Sequence, residues 1–224
     1  MAGSSEHRIR VGAVEVSALL DTPGAPSFAY VLAHGAGAGM RHPFLNSIAS
    51  RLVARDVACL RYQFPYMEGK RGRVDSPDVA TEAVRAAVAA ARTLLPGIPL
   101  VAGGKSFGGR MTSEAEARAH LDEVVGLAFL GFPLHPPGKP GVTRAEHLSR
   151  VTIPMLFLQG TRDEFASLDL LHSVIDQLGS RATLSLIDGG DHSFAVRKSA
   201  GLTNAQVLDD LCDRLVSWVR SLAR

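Results

Sequence analysis

The sequence predicts an α/β protein: a three-layer α/β/α sandwich with a mostly parallel central sheet. Two observations predict it. Short apolar, strand-like runs alternate with segments whose apolar residues recur at helical spacing, the pattern of βαβ units covered on both faces. Glycine-bearing turns follow several of those runs, where right-handed crossovers gather strand ends along one edge of the sheet. The 224 residues are 46% hydrophobic and 21% charged, enough for one full core and far from a disordered or fibrous composition. One domain over residues 1–224 is expected.

Each element has its local reason. Residues 14–20 suggest an early strand, with 8–11 as its pairing partner. Residues 28–33 form an apolar strand that ends in glycines. Residues 43–55 carry Phe44, Leu45, Ile48, Ala49, Leu52 and Val53 at helical spacing, and 57–60 are the next strand. Ser76-Pro77-Asp78 starts a helix with an N-cap, a first-position proline and an early acid. Ala80, Val84, Val88, Ala91 and Leu95 then line one face, and Gly97 closes it. A strand follows at 98–102, a helix at 111–120 and a fully buried strand at 124–130. A short helix at 144–150 and a strand at 154–158 come next. A helix at 168–178 ends on Gly179, and 182–187 is the last strand. Thr203-Asn204-Ala205-Gln206 fits a capping box that opens a helix with Leu208, Leu211, Leu215, Trp218 and Leu222 on one face.

Composition narrows the function. Lys and Arg number 24 against 22 acids, a formal charge of +2 without a concentrated basic footprint, so no nucleic-acid partner is expected. The one dense basic cluster, Lys70-Arg71-Gly72-Arg73, reads as a solvated loop. The longest nearly unbroken apolar run, 124–132, is far short of the ~20 residues that span a bilayer, so no membrane partner is expected. Residues 1–10 lack the apolar centre of a secretory signal, and a cytoplasmic location is expected. Cys59 and Cys212 each lie in an apolar stretch and read as buried reduced thiols. Histidines are scattered without metal-ligand spacing, so neither metal nor cofactor is expected.

The strand ends carry the chemistry. After 98–102 comes Gly103-Gly104-Lys105-Ser106-Phe107-Gly108-Gly109, containing G-x-S-x-G: a strand turns abruptly into a helix and holds a serine hydroxyl at the sheet edge. Gly104-Lys105-Ser106 also resembles the tail of a phosphate-binding loop, but Pro99 stands where that loop needs its first glycine. A serine is a weak nucleophile at neutral pH and needs a base. The loop after 154–158 supplies Asp163, and Asp188-Gly189-Gly190-Asp191-His192 after the last strand supplies an imidazole, giving the order Ser106, Asp163, His192. Asp191 and Glu164 compete as the acid. The Phe107 N–H is the expected first oxyanion donor. His34-Gly35-Ala36-Gly37 after 28–33 offers the second, from Ala36, with Gly35 and Gly37 as alternatives. His34 is expected to hold that loop rather than react. A dehalogenase is disfavoured, since its nucleophile would be a carboxylate at position 106.

Through Gly104-Lys105-Ser106-Phe107-Gly108, Asp163 and His192 the sequence resembles the α/β-hydrolase superfamily. More narrowly it resembles a small lidless branch of hydrolases related to dienelactone hydrolases, which includes a testis-expressed protein and a subunit of a histone acetyltransferase complex. That likeness runs over about residues 28–220, through His34-Gly35-Ala36-Gly37, His42-Pro43-Phe44, the stretch 64–71 beginning Phe64-Pro65-Tyr66, the stretch 131–140 from Gly131-Phe132-Pro133, Gln159-Gly160-Thr161-Arg162-Asp163 and Gly189-Gly190-Asp191-His192. It implies the α/β-hydrolase fold without a large lid and the three site positions, and implies the substrate poorly. Phe107 and Glu164 depart from the pattern, where a smaller residue and a proline would be expected.

About a dozen residues separate the strand at 124–130 from the next helix, too few for a helical lid, so an open site is expected. Phe132, Leu134 and Phe107 are expected to line it, bordered by Met40, Tyr66 and Met67. Arg41, Lys70 and Arg71 could admit an anion, although solvated surface charge is the plainer reading. A serine esterase acting on a small acyl substrate is the leading expectation, and a silent hydrolase-fold scaffold the alternative.

Overall fold

The computed structural model describes residues 3–197 and 201–222. Eight strands form one sheet: β1 (Gly3–Val11), β2 (Val14–Thr22), β3 (Phe28–Ala33), β4 (Val57–Tyr62), β5 (Leu100–Lys105), β6 (Val124–Leu130), β7 (Met155–Gly160) and β8 (Ala182–Ile187). Their order is β1-β2-β4-β3-β5-β6-β7-β8. The β1–β2 hairpin pairs antiparallel and joins β4 antiparallel through β2, with Val11 opposite Val14 and Leu20 opposite Leu60. Every pairing from β4 through β8 is parallel. This is the α/β-hydrolase fold, with no lid among the described residues.

Six helices cover the sheet: α1 (Pro43–Val53), α2 (Pro65–Glu68), α3 (Pro77–Leu94), α4 (Phe107–Arg118), α5 (Leu168–Leu178) and α6 (Asn204–Leu222). Strand alternation divides the core. Phe28, Tyr30 and Leu32 of β3 pack with α1 and α6 on one face, while Ala29, Val31 and Ala33 pack with α3 and α4 on the other. β3 is therefore apolar at every position, as a strand buried on both faces must be. Cys59 and Cys212 are free and buried in the α1/α6 layer. Burial pushes the Cys212 thiol up to about 12.

Most elements stand where the sequence puts them, with informative shifts. β5 begins at Leu100 rather than 98 and continues through Gly103 and Gly104 to Lys105, since pairing with β3 and β6 extends the strand across both glycines. α4 starts at Phe107 rather than 111, directly after the turn. The short helix expected at 144–150 is a 3-10 helix over Thr143–Arg150. The single turn of α2 was not expected; Pro65 starts it and Gly69 ends it. The capping box forms reciprocally: Gln206 N–H donates to Thr203 Oγ1 (3.2 Å) and Thr203 N–H to Gln206 Oε1 (2.8 Å). Among the described residues no helix is long and apolar enough to cross a membrane.

Candidate active site

Three segments meet at the C-terminal edge of the sheet. β5 ends at Lys105 and α4 begins at Phe107, so Ser106 alone makes the turn, at φ 51° and ψ −116°. A side chain disfavours that left-handed backbone, and strain of this kind persists where packing over-determines it. Ser106 N–H donates to the Leu130 carbonyl of β6 (3.2 Å). A Cβ on Gly108 would lie 2.6 Å from the His34 carbonyl oxygen, so the first turn of α4 lies against the end of β3 with no room for a methyl group.

Ser106 Oγ lies 2.9 Å from His192 Nε2, and His192 Nδ1 lies 2.7 Å from Asp163 Oδ2. An ionised carboxylate only accepts, so the imidazole donates from Nδ1, which leaves Nε2 to accept the Ser106 hydroxyl. The Asp163 side chain is fully buried and its charge is met by donors. Gln159 Nε2 donates to Oδ2 (2.6 Å) and the Phe165 N–H to Oδ1 (2.8 Å). Gln159 is held in turn by the Phe132 N–H, which donates to its Oε1 (2.8 Å). The Phe165 ring covers His192, with centroids 4.2 Å apart. The competing acids are placed elsewhere. Asp191 accepts the N–H groups of Ser193 (2.8 Å) and Ala195 (2.9 Å) and shapes its own loop, while Glu164 is exposed.

Lys105 is the last residue of β5, directly before Ser106. Its Nζ is buried, with no hydrogen-bond partner among the described residues. It lies beside the His–Asp pair: a Cβ on Gly131 would be 3.0 Å from Lys105 Nζ and 3.5 Å from both Asp163 Oδ2 and His192 Nδ1. Gly131, at φ +72°, has neither the conformation nor the space for a side chain. Burial brings the Lys105 ammonium down to about 8, against the opposing pull of Asp163 and Asp191.

The turn after β3 behaves as expected for a structural histidine. His34 is fully buried. Its Nδ1–H donates to the Gly35 carbonyl (2.8 Å) and its Nε2 accepts the Phe64 N–H (3.2 Å). Burial pulls its pKa down to about 4. The Gly37 N–H is taken by the Tyr66 hydroxyl (2.9 Å), which leaves Ala36 and Gly35 as donors facing no such competitor. The Phe107 N–H occupies the first position of α4, where an amide has no intrahelical partner.

Two cavities flank Ser106. The first, about 530 Å³, is bordered by Phe44, Leu45, Phe194 and Leu208 together with Ser106 and His192. The second, about 580 Å³, is bordered by Phe107, Met111 and Pro133 together with Arg73, Arg110 and Arg144. Ala36, Ser106 and Phe165 border both. Five expected pocket residues line neither; one of them, Met67, is half-buried and packs against the core. Phe132, Leu134, Met40 and Tyr66 are buried in the core beneath the loops, with Phe132 packed on Phe129 and Phe157 at centroid distances of 5.2 and 5.6 Å. The segment after β6 turns its apolar side chains down onto the sheet, where burial in the core is most favourable. Arg41, Lys70 and Arg71 also lie outside both linings; Arg41 and Arg71 pair with Glu6 and Asp75. Sequence reasoning missed Gln159 and Phe165. A glutamine ending an otherwise apolar strand was the available signal for the first.

A second Ser–His–acid cluster has the right composition and the wrong setting. Ser113 Oγ lies 2.8 Å from His147 Nε2, and His147 Nδ1 lies 3.2 Å from Glu114 Oε2. Ser113 is fully buried and neither it nor His147 borders either cavity. The cluster pins the 3-10 helix to α4.

Comparison with known proteins fits this architecture. The family described as an alpha/beta hydrolase domain matches residues 26–220. A dienelactone hydrolase from Anabaena variabilis is 17% identical, with a TM-score of 0.77 over 98% of each chain. A lidless α/β serine hydrolase from Xanthomonas campestris is 20% identical, with a TM-score of 0.76 over 97% of this chain and 94% of the other. An esterase domain from Rhodothermus marinus is 16% identical, with a TM-score of 0.74 over 98% of each chain. At these identities the likeness speaks for the fold alone. The family match, running from before β3 almost to the end of α6, shows that the chain belongs to the alpha/beta hydrolase domain family.

Proposed function

We propose that the protein is a serine hydrolase that cleaves a small ester, thioester or activated amide through an acyl-enzyme. The observation that best supports this is the Ser106–His192–Asp163 chain, with links of 2.9 and 2.7 Å, placed where two cavities meet. Ser106 Oγ attacks the carbonyl carbon while His192 Nε2 takes its proton. The tetrahedral oxyanion is met by the N–H groups of Phe107 and Ala36, with the positive end of α4 beneath it. His192 returns the proton to the departing alcohol, thiol or amine as that bond breaks. A water then attacks acyl-Ser106 with His192 as base, releasing the acid and restoring the hydroxyl. Asp163 holds the imidazole tautomer and stabilises the imidazolium. The open cavities and the absence of a lid favour small, soluble acyl substrates.

The test is esterase turnover with fluorophosphonate labelling. Ser106→Ala abolishes labelling and lowers 4-nitrophenyl acetate turnover by at least about 10³-fold; Asp163→Asn lowers kcat by about 10⁴-fold with the fold intact. A wild-type protein that neither labels nor turns over a panel of esters and thioesters overturns the reading in favour of a scaffold.

A further inference from the structure

The second cavity contains an unmet charge. Arg110 lies one helical turn beyond Ser106, its N–H donating to the Ser106 carbonyl (3.1 Å), so the two side chains share one face of α4. Arg144 enters from the 3-10 helix and Arg73 from the loop before α3. None of these three guanidinium groups makes an ion pair or hydrogen bond among the described residues, whereas Arg55, Arg61 and Arg118 elsewhere are all paired. The acids within reach are already committed. Asp75, the one carboxylate in the lining, accepts the Tyr66 N–H (2.9 Å) on Oδ2 and Arg71 (2.9 Å) on Oδ1. Glu114 is held by Arg118 and His147. Arg110 is partly buried, and burial and then repulsion from Arg144 disfavour its charge, against a smaller opposing pull from Glu114. Arg73 is exposed, but Arg110 and Arg144 are partly buried, and like charges half-shielded together are costly unless an anion joins them.

We infer that this cavity is an anion subsite, and that the substrate is an acyl compound carrying a carboxylate or phosphate group on the part of the molecule that enters it. The inference rests on Ser106 being the nucleophile, because that is what makes the bound molecule a substrate. Planar guanidinium forks pair with carboxylate and phosphate oxygens in bidentate geometry. Phe107, Met111 and Pro133 supply an apolar floor for the linker between anion and scissile bond. The first cavity, bordered by Phe44, Leu45 and Leu208 with Lys105 also in its lining, takes the rest of the substrate.

The experiment compares substrates matched in shape and differing in charge. On the acyl arm these are 4-nitrophenyl hexanoate and 4-nitrophenyl hemiadipate. On the leaving-group arm they are phenyl acetate, 4-carboxyphenyl acetate and 4-acetoxyphenyl phosphate. On one arm the anionic member has a kcat/KM at least about tenfold higher at low ionic strength, and added salt erodes that ratio. The ratio falls toward one in Arg110→Gln/Arg144→Gln and partly in Arg144→Gln alone, which leaves the half-buried Arg110 in place. The member that is preferred tells carboxylate from phosphate. Equal or lower rates for every anionic substrate, or a preference that survives the double substitution, overturn the inference. Fluorophosphonate labelling keeps the two readings apart. If wild type neither labels nor turns over, the nucleophile reading has failed, and the subsite is judged by calorimetry with phenyl phosphate and benzoate: binding that Arg144→Gln weakens supports it, and no binding overturns it.

Discussion

Lys105 occupies the residue position where stability and site geometry conflict. Its ammonium is buried without a hydrogen-bond partner, and burial lowers it from the ordinary 10.5 to about 8. Between pH 8 and 10.5 the unfolded chain therefore holds a proton that the native protein has released, and native stability rises with pH across that window. Below pH 8 the full penalty applies. Lys105→Met, which keeps the apolar stem, is expected to stabilise the fold by about 1–3 kcal/mol at pH 7, with the gain shrinking toward pH 10.5. Urea denaturation at several pH values measures it, and a constant or negative difference would contradict the electrostatic account. Gln159 is the neighbouring case. Gln159→Leu removes the 2.6 Å donor to Asp163 Oδ2 and leaves Phe165 N–H as support. It should slow ester turnover by about tenfold through loss of His192 alignment. Rates equal to wild type would show that the Phe165 amide alone suffices.

At the scale of elements, the turn between β5 and α4 is made by interlocking backbone rather than by side chains. Gly108 packs within a methyl's reach of the His34 carbonyl, so Gly108→Ala must push α4 away from β3 and carry Ser106 with it. A loss of about 3 kcal/mol or more, read as a fall in the urea midpoint, is expected. The capping box of α6 is more forgiving: Thr203→Ala removes the Oγ1 acceptor of the Gln206 N–H, keeps the backbone N–H bond to Gln206 Oε1, and should cost about 1 kcal/mol. These two elements were legible for different reasons. A capping box is a local pattern and appears in four letters. The start of α4 lies four residues before the sequence expectation, because a strand that runs through two glycines and a helix with two more glycines in its first turn look locally like a loop. Parallel pairing on both sides of β5 supplies what propensity lacks.

At the scale of the whole molecule, two buried histidines set the acid limit. Burial pulls both His34 and His147 down to about 4, from an ordinary 6.5. Between pH 6.5 and 4 the unfolded chain binds protons that the native protein refuses, so stability falls as pH drops through that window and levels off below it. The loss is up to about 3 kcal/mol for His34, with a further contribution from His147. His147→Gln should flatten the profile between pH 6.5 and 4 in denaturation experiments; an unchanged slope would place the acid sensitivity elsewhere. Because His34 joins the β3 turn to Phe64, and His147 joins α4 to the 3-10 helix, acid loosens both sides of the site together.

The sequence by itself determined the alternation of strands and helices, the turn that presents Ser106, and the loops that deliver Asp163 and His192. Each of these is written in a contiguous stretch, where periodicity, glycine placement and strand ends act locally. Only the tertiary structure decided which apolar residues border a cavity. Phe132 and Leu134 pack downward while Phe44, Phe165 and Leu208 reach the opening, because core and cavity walls draw on the same residue types. It also decided which charges go unpaired. Arg73, Arg110 and Arg144 come from three separate segments, and no local pattern distinguishes them from the arginines that find partners. Pairing is a property of positions in space, which the chain order does not contain until the sheet has closed.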